Sequence, residues 1–422
     1  MSAHDDEEDS QRVESLVDEV EQFCSSDELS LDALRDKIRS IHVDAVQNSY
    51  FFHDACNNAN VSLEIIEFLL ETFPGAARAT VECRNDAIGS TVAYPLHFAC
   101  YNQDCPCSVI ELLAKKNERA LSHLCILADG GVPSGKYDGN YVMGLPLHYY
   151  LSREFNIDIE TVRMLVEAYP ESLTIADDTG FTPLHILVCN PNIADLYDIL
   201  QYLIETEPTS LRMTCGYEET PLHLACNNKY IDSKTIRLLL NAWPEASHQR
   251  NRFEEFPIHY LCLNKSLEDT AALDILNVLL KINPQSVRGT DDEGKLPMHL
   301  AAGSKSPKFC KILIDAYAES VRVEGNGDML LIHNACYGGR RVDTVKCLLE
   351  LYPESVNVQD TDGFLPIHRA AQSMAGEDKA EIISFLLSKY PDGVEKATAG
   401  GGSLPLHLAC ESFNARDINL KT

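Results

Sequence analysis

Two kinds of apolar segment alternate from about residue 50 to the end of the chain. The first is short and opens on proline, an aliphatic residue and histidine, as in Thr182-Pro183-Leu184-His185. The second is longer, with apolar positions three and four apart, and closes on an aromatic residue, proline, glutamate and serine. Val162 to Ser172 and Val345 to Ser355 are examples. Spacing of three and four places apolar side chains on one helix face. Each cycle therefore predicts a short helix, a loop and a longer amphipathic helix. Polar turns such as Asp177-Asp178-Thr179-Gly180, Asp291-Asp292-Glu293-Gly294 and Asp360-Thr361-Asp362-Gly363 separate the cycles, each ending on a glycine that permits φ > 0.

The opening word carries proline at His97, His148, His185, His223, His259, His299, His368 and His407, and lacks it at His53 and His333. Successive histidines lie 44, 51, 37, 38, 36, 40, 34, 35 and 39 residues apart. Fifteen of the nineteen prolines stand before an aliphatic–His pair or at the close of a second helix, so proline marks boundaries. At the first helical position its missing N–H has no intrahelical partner to lose, and its fixed φ suits the turn. At the far end it forces the preceding residue out of the α region and stops the second helix. One such pair cannot bury its apolar face alone, whereas stacked neighbours can.

The Thr-Pro-Leu-His word behind an Asp-x-x-Gly turn resembles the ankyrin repeat over about residues 50 to 422. The resemblance implies an all-α solenoid of stacked helix–turn–helix repeats with β-turn or finger loops. It also implies that the histidines are structural and that partners bind on a concave face formed by first helices and turns. The chain departs from the family pattern in three ways. Its repeats exceed the family's ~33 residues, only Thr182 and Thr220 keep the threonine that usually caps the first helix, and aromatic-Pro-Glu-Ser replaces the usual Gly-Ala-Asp ending.

The organisation follows. Residues 1–10 form an acidic, disordered N-terminus, and 11–47 a helical cap with helices over Arg12–Cys24 and Leu31–Val46. Residues 48–422 form nine full helix pairs and a partial tenth. A glycine-rich insertion, 129–144, reads as a long finger or loop. The last repeat stops where its second helix should begin, which predicts a fragment of a longer protein or a last repeat covered by something else.

Charge narrows the partners. With 64 acidic and 35 basic side chains the net charge is -29, which repels phosphate backbones and anionic lipid heads and favours basic protein partners. Residues 1–50 alone hold 14 acidic and 4 basic side chains. No apolar run is long enough to span a bilayer, so no membrane insertion is expected. An odd number of cysteines, 15, behind an acidic start predicts reduced thiols and a cytoplasmic or nuclear location.

Chemical motifs add little. Gly130 to Lys136 matches G-x-x-x-x-G-K, but Tyr137 stands where a P-loop needs Ser or Thr. Six repeat histidines are followed three residues later by cysteine, at Cys56, Cys100, Cys226, Cys262, Cys336 and Cys410; Ala302 and Ala371 fill the same slot, which points to packing of a small side chain. His97, Cys100, Cys105 and Cys107 are the densest soft-ligand group, at a spacing that matches no zinc knuckle. No catalytic residue, metal site or cofactor is expected. Partner-contact candidates on the first helices are Phe98, Tyr101, Tyr149, Tyr150, Arg153, Tyr230, Tyr260, Tyr337, Arg340, Arg341 and Arg369, since tyrosine and arginine favour interface hot spots. The sequence thus reads as a non-enzymatic protein-interaction scaffold. Its alternatives are a metal- or redox-responsive protein using repeat His and Cys, and the repeat portion of a larger protein.

Overall fold

The computed structural model describes residues 17–39, 50–85, 89–127, 143–190, 195–338, 342–373, 378–399 and 401–419. It divides into two compact units, Met1–Gly216 and Tyr217–Thr422.

In the first unit, α1 (17–25) and α2 (Leu31–Ile38) precede four helix pairs. These are α3 (Phe51–Asn57) with α4 (Leu63–Thr72), α5 (Pro95–Tyr101) with α6 (Cys107–Lys116), α7 (Pro146–Leu151) with α8 (Ile159–Ala168), and α9 (Pro183–Cys189) with α10 (Leu196–Thr206). First helices pack on first helices and second on second, giving two layers. Helix α2 ends at Ile38, short of the expected Val46; residues 40–49 lie outside the described residues, as do residues 1–16. Val20, Phe23, Leu34 and Ile38 of α1 and α2 are buried.

The second unit repeats the plan. It holds α11 (Pro221–Asn227) with α12 (Ser233–Ala242), α13 (Pro257–Leu263) with α14 (Asp269–Ile282), α15 (Pro297–Ala302) with α16 (Pro307–Ala316), α17 (Leu331–Gly338) with α18 (Val342–Leu351), and α19 (Pro366–Gln372) with α20 (Lys379–Lys389). The last helix, α21 (Pro405–Asn419), runs 15 residues, where other first helices take six to eight before a turn. The expected loop after Ala409-Cys410 is therefore continuous helix; Glu411, Ala415 and Arg416 are strong helix formers and no proline or glycine interrupts them.

Both proline roles are visible. Proline opens α5, α7, α9, α11, α13, α15 and α19 at the first helical position. The second proline stops the longer helix and also starts something: 3-10 turns follow at Pro170–Thr174, Pro208–Arg212, Pro244–His248, Pro284–Arg288, Pro353–Asn357 and Pro391–Glu395. In the first five the serine points inward, Ser172, Ser210, Ser247, Ser286 and Ser355 all being buried, and Gly393 takes its place in the sixth.

Strands appear that the helical reading did not anticipate. Strands β1 (Val81–Asn85) and β2 (Gly89–Ala93) pair antiparallel as a finger, and β3 (Cys125–Ile126) pairs with β4 (Met143–Gly144). The end of the 129–144 insertion is thus strand; residues 128–142, including the Gly130–Lys136 match, lie outside the described residues.

Candidate partner-binding site

The repeat histidines are built into the frame. Each sits at the third position of its helix, and its Nδ1 accepts the backbone N–H of the residue before the proline. The donors are Tyr94, Leu145, Thr182, Thr220, Phe256, Leu296, Leu365 and Leu404, at 3.0–3.2 Å; Leu330 serves His333 at 3.1 Å. An accepting Nδ1 leaves the ring proton on Nε2, which donates to a main-chain carbonyl between the second helix and the next first helix. His97 reaches His123 at 2.8 Å, His148 reaches Ile175 at 3.1 Å, His223 reaches Glu255 at 3.1 Å, His299 reaches Val323 at 3.1 Å, His333 reaches Val358 at 3.1 Å and His368 reaches Lys396 at 2.9 Å. His53 makes the outer bond alone, to Ala79 at 3.3 Å. Burial lowers the pKa of His53, His97, His148, His223, His259 and His299 to about 4. These rings are neutral at pH 7. Where Nδ1 accepts and Nε2 is protonated and donates, as in His97, His148, His223 and His299, no ring lone pair remains for a metal.

A second clamp went unread in the sequence. Five residues after the histidine stands an asparagine whose Nδ2 donates to two carbonyls of the preceding turn of the stack. Asn58 bonds Cys24 and Ser26, Asn102 bonds Cys56 and Asn58, Asn190 bonds Leu151 and Arg153, and Asn264 bonds Cys226 and Asn228. The signal was present as a fixed His-to-Asn offset of five.

That offset corrects three of the partner-contact candidates. Arg153 occupies the asparagine slot after His148 and does the asparagine's work: it is 1% exposed, and its Nε and Nη2 donate to Cys100 and Ala99 at 2.8 and 2.6 Å. Tyr149 and Tyr150 are buried too, Tyr149 donating to the Cys125 carbonyl at 2.6 Å and Tyr150 to Asp158 at 2.8 Å. Burial removes all three from any partner-facing surface.

The residue directly after the histidine braces a finger. Phe98 packs edge-on against His53, with centroids 5.5 Å apart. Tyr260 donates to the Glu219 carboxylate and receives Asn251 Nδ2 at 2.9 Å. Arg369 clamps Asp360 at 2.6 Å and Asp362 at 3.2 Å. Phe98, Tyr260 and Arg369 are half-buried, as is Tyr101, which meets Tyr149 edge-on. Tyr230 and Tyr337 are exposed, at 60% and 55%. Arg340 and Arg341 lie outside the described residues.

Two exposed aromatic residues were missed, Tyr217 and Phe253, at the finger tips of the second unit. Their signal was a repeated aromatic-Glu-Glu, at 217–219 and 253–255.

The soft-ligand group does not form a donor set. Cys100 and Cys105 are buried with raised pKa values, chiefly through burial. Cys107 lines a cleft of about 840 Å³ between α6 and α8 with Glu111, Lys115, Asp158, Arg163 and Glu167. Its thiol donates to Asp158 Oδ2 at 2.7 Å, so burial and that carboxylate both raise its pKa. It is a hydrogen-bond donor, not a poised thiolate. Among the described residues no three His, Cys, Asp or Glu side chains converge as metal ligands. No described helix is long and apolar enough to cross a membrane.

Residues 222–324 match the family model for ankyrin repeats, in three copies. Compared with curated proteins, the chain has no match. The matched stretch contains the pairs that begin at α11, α13 and α15, and the same proline start, histidine clamp and proline stop recur in the first unit at α7–α8 and in the second at α19–α20. Residues 222–324 are ankyrin repeats, and the helix pairs on either side of them follow the same plan.

Proposed function

We propose that this chain is a non-enzymatic scaffold that binds basic partner proteins through the side chains of its first helices and fingers. Ankyrin repeats constitute a protein-interaction domain in general terms; the scaffold role and the choice of partner are the proposal. One observation carries it. The groups that could do chemistry, nine of the ten repeat histidines and most thiols, are spent inside the stack on hydrogen bonds and packing, which leaves recognition to the surface between them. A net charge of -29 favours cationic partners and makes association weaken with salt. The buried, protonated thiols fit a reducing cytosol or nucleus and give no support to a redox-responsive role.

Affinity capture with the full chain, followed by mass spectrometry at low and at high salt, tests this reading. The expected result is a reproducible set of basic proteins whose recovery falls at high salt. Recovery of nothing beyond what an unrelated, equally acidic bait retains would sink it.

A further inference from the structure

We infer that the finger edge of the second unit, around Tyr217 and Phe253, is a docking site for an extended lysine- and arginine-rich segment of another protein. The inference rests on the interaction role proposed above and names where, and for what chemistry, that role is exercised.

The geometry is prepared without a partner. Backbone bonds tie consecutive fingers together: Arg252 N–H donates to the Tyr217 carbonyl and Asp292 N–H to the Phe253 carbonyl, both at 2.9 Å. At the finger base, Asn251 Oδ1 accepts the Phe253 and Glu255 N–H groups, while Tyr260 joins Asn251 to Glu219. On this fixed base the rings of Tyr217 and Phe253 lie 5.8 Å apart, 55% and 40% exposed. Exposed Glu218 and Glu254 follow the two rings directly in the chain, and Asp292 and Glu293 lie on the next finger, which is bonded to Phe253. Acidic groups also gather at the finger base: burial first, then the charges of Asp291, Glu219 and Asp292, raise the pKa of Glu255. Of the nearby cations, Arg250 is committed to the Phe256 ring and Glu254, and Lys295 to Glu293; Arg252 is exposed.

Elsewhere the chain covers aromatic faces with its own cations. Arg163 lies over Tyr202, Arg288 over Tyr317 and Arg322 over Tyr352, each within 4.4 Å of the ring centre. Neither Tyr217 nor Phe253 receives such a cation among the described residues. Two exposed rings beside carboxylates, of which Glu218 and Asp292 have no cation of their own among the ion pairs of the described residues, suit a guanidinium or ammonium group, which gains both the quadrupole and the ion pair. The backbone shows a cost at the same points. Glu218 and Glu254 have φ of 62° and 59°, a left-handed conformation that glycine takes at Gly180, Gly294 and Gly363. At the tips of these two fingers a carboxylate stands where glycine would be the easier choice.

Fluorescence anisotropy of a labelled oligoarginine peptide against the full chain tests the site. Tyr217→Ala/Phe253→Ala and Glu218→Gly/Glu254→Gly should each weaken binding about tenfold. Glu354→Gln/Asp392→Asn, which removes two exposed carboxylates elsewhere in the unit, should change it less than about twofold. The glycine pair relieves left-handed strain, so its melting temperature should stay or rise, and weakened binding cannot then be ascribed to unfolding. The inference is overturned if the unaltered chain does not bind the peptide, if the finger variants bind as tightly as it does, or if the control pair loses as much as they do. Failure of this kind leaves captured partners in place, whereas failure of the scaffold reading removes them.

Discussion

A buried imidazole that accepts at one nitrogen and donates at the other ties local conformation to protonation. The histidine pKa values of about 4 lie below the ordinary ~6.5, so between those limits the unfolded chain binds protons that the folded chain does not. Stability therefore falls as pH drops from 6.5 towards 4, each such ring contributing about 1.4 kcal/mol per pH unit in that window. Circular dichroism across pH 7 to 4 should show cooperative acid unfolding with uptake of several protons; a baseline flat to pH 4 would contradict it. Arg153 offers a second test at this scale. Arg153→Ala should cost about 2–4 kcal/mol in urea unfolding, and Arg153→Asn about 1–2 kcal/mol less than that, since asparagine in neighbouring repeats bonds the carbonyl equivalent to that of Cys100. The sequence exposed the histidines through their adjoining proline. It hid the role of Arg153, because a cation in a slot otherwise held by Asn reads as surface until the carbonyls of Ala99 and Cys100 are seen beside it.

At the scale of the element, helix boundaries were legible wherever a residue enforces them stereochemically. Proline does so at both ends of a repeat, and the predicted starts at Pro95, Pro183 and Pro257 hold to the residue. Boundaries set by what lies opposite were not legible. The β1–β2 finger alternates residues of mixed polarity with no diagnostic turn dipeptide, and α21 continues for want of any stop signal. Close approach between elements was equally silent. A Cβ on Gly338, at the end of α17, would lie 2.3 Å from the Gly303 carbonyl oxygen. Gly338→Ala should therefore destabilise the second unit by about 1–3 kcal/mol, read as a lower urea midpoint with unchanged slope. A change under about 0.5 kcal/mol would mean that the helices part easily.

For the whole molecule, the thiols report on the integrity of both units. Eleven of the fifteen cysteines are buried, three are intermediate, and Cys410 is exposed. Native labelling with a thiol reagent should modify Cys410 quickly, the three intermediate thiols more slowly, and the buried set only in denaturant. Rapid reaction of the buried set at neutral pH would show that the stack opens locally. The helical solenoid was readable from the periodic histidines, while the division at Gly216 was not, since the period runs through it unchanged.

The asparagine clamps and the Nε2 bonds of the histidines all end on main-chain oxygen. Every residue supplies one, whatever its side chain, so the acceptor half of each stitch places no demand on the neighbour's identity. Modules of this chain can therefore drift, or be transplanted between positions, so long as each retains its own imidazole, its carboxamide and the backbone path. Affinity for a new target can evolve at the outer surface without renegotiating the joints beneath.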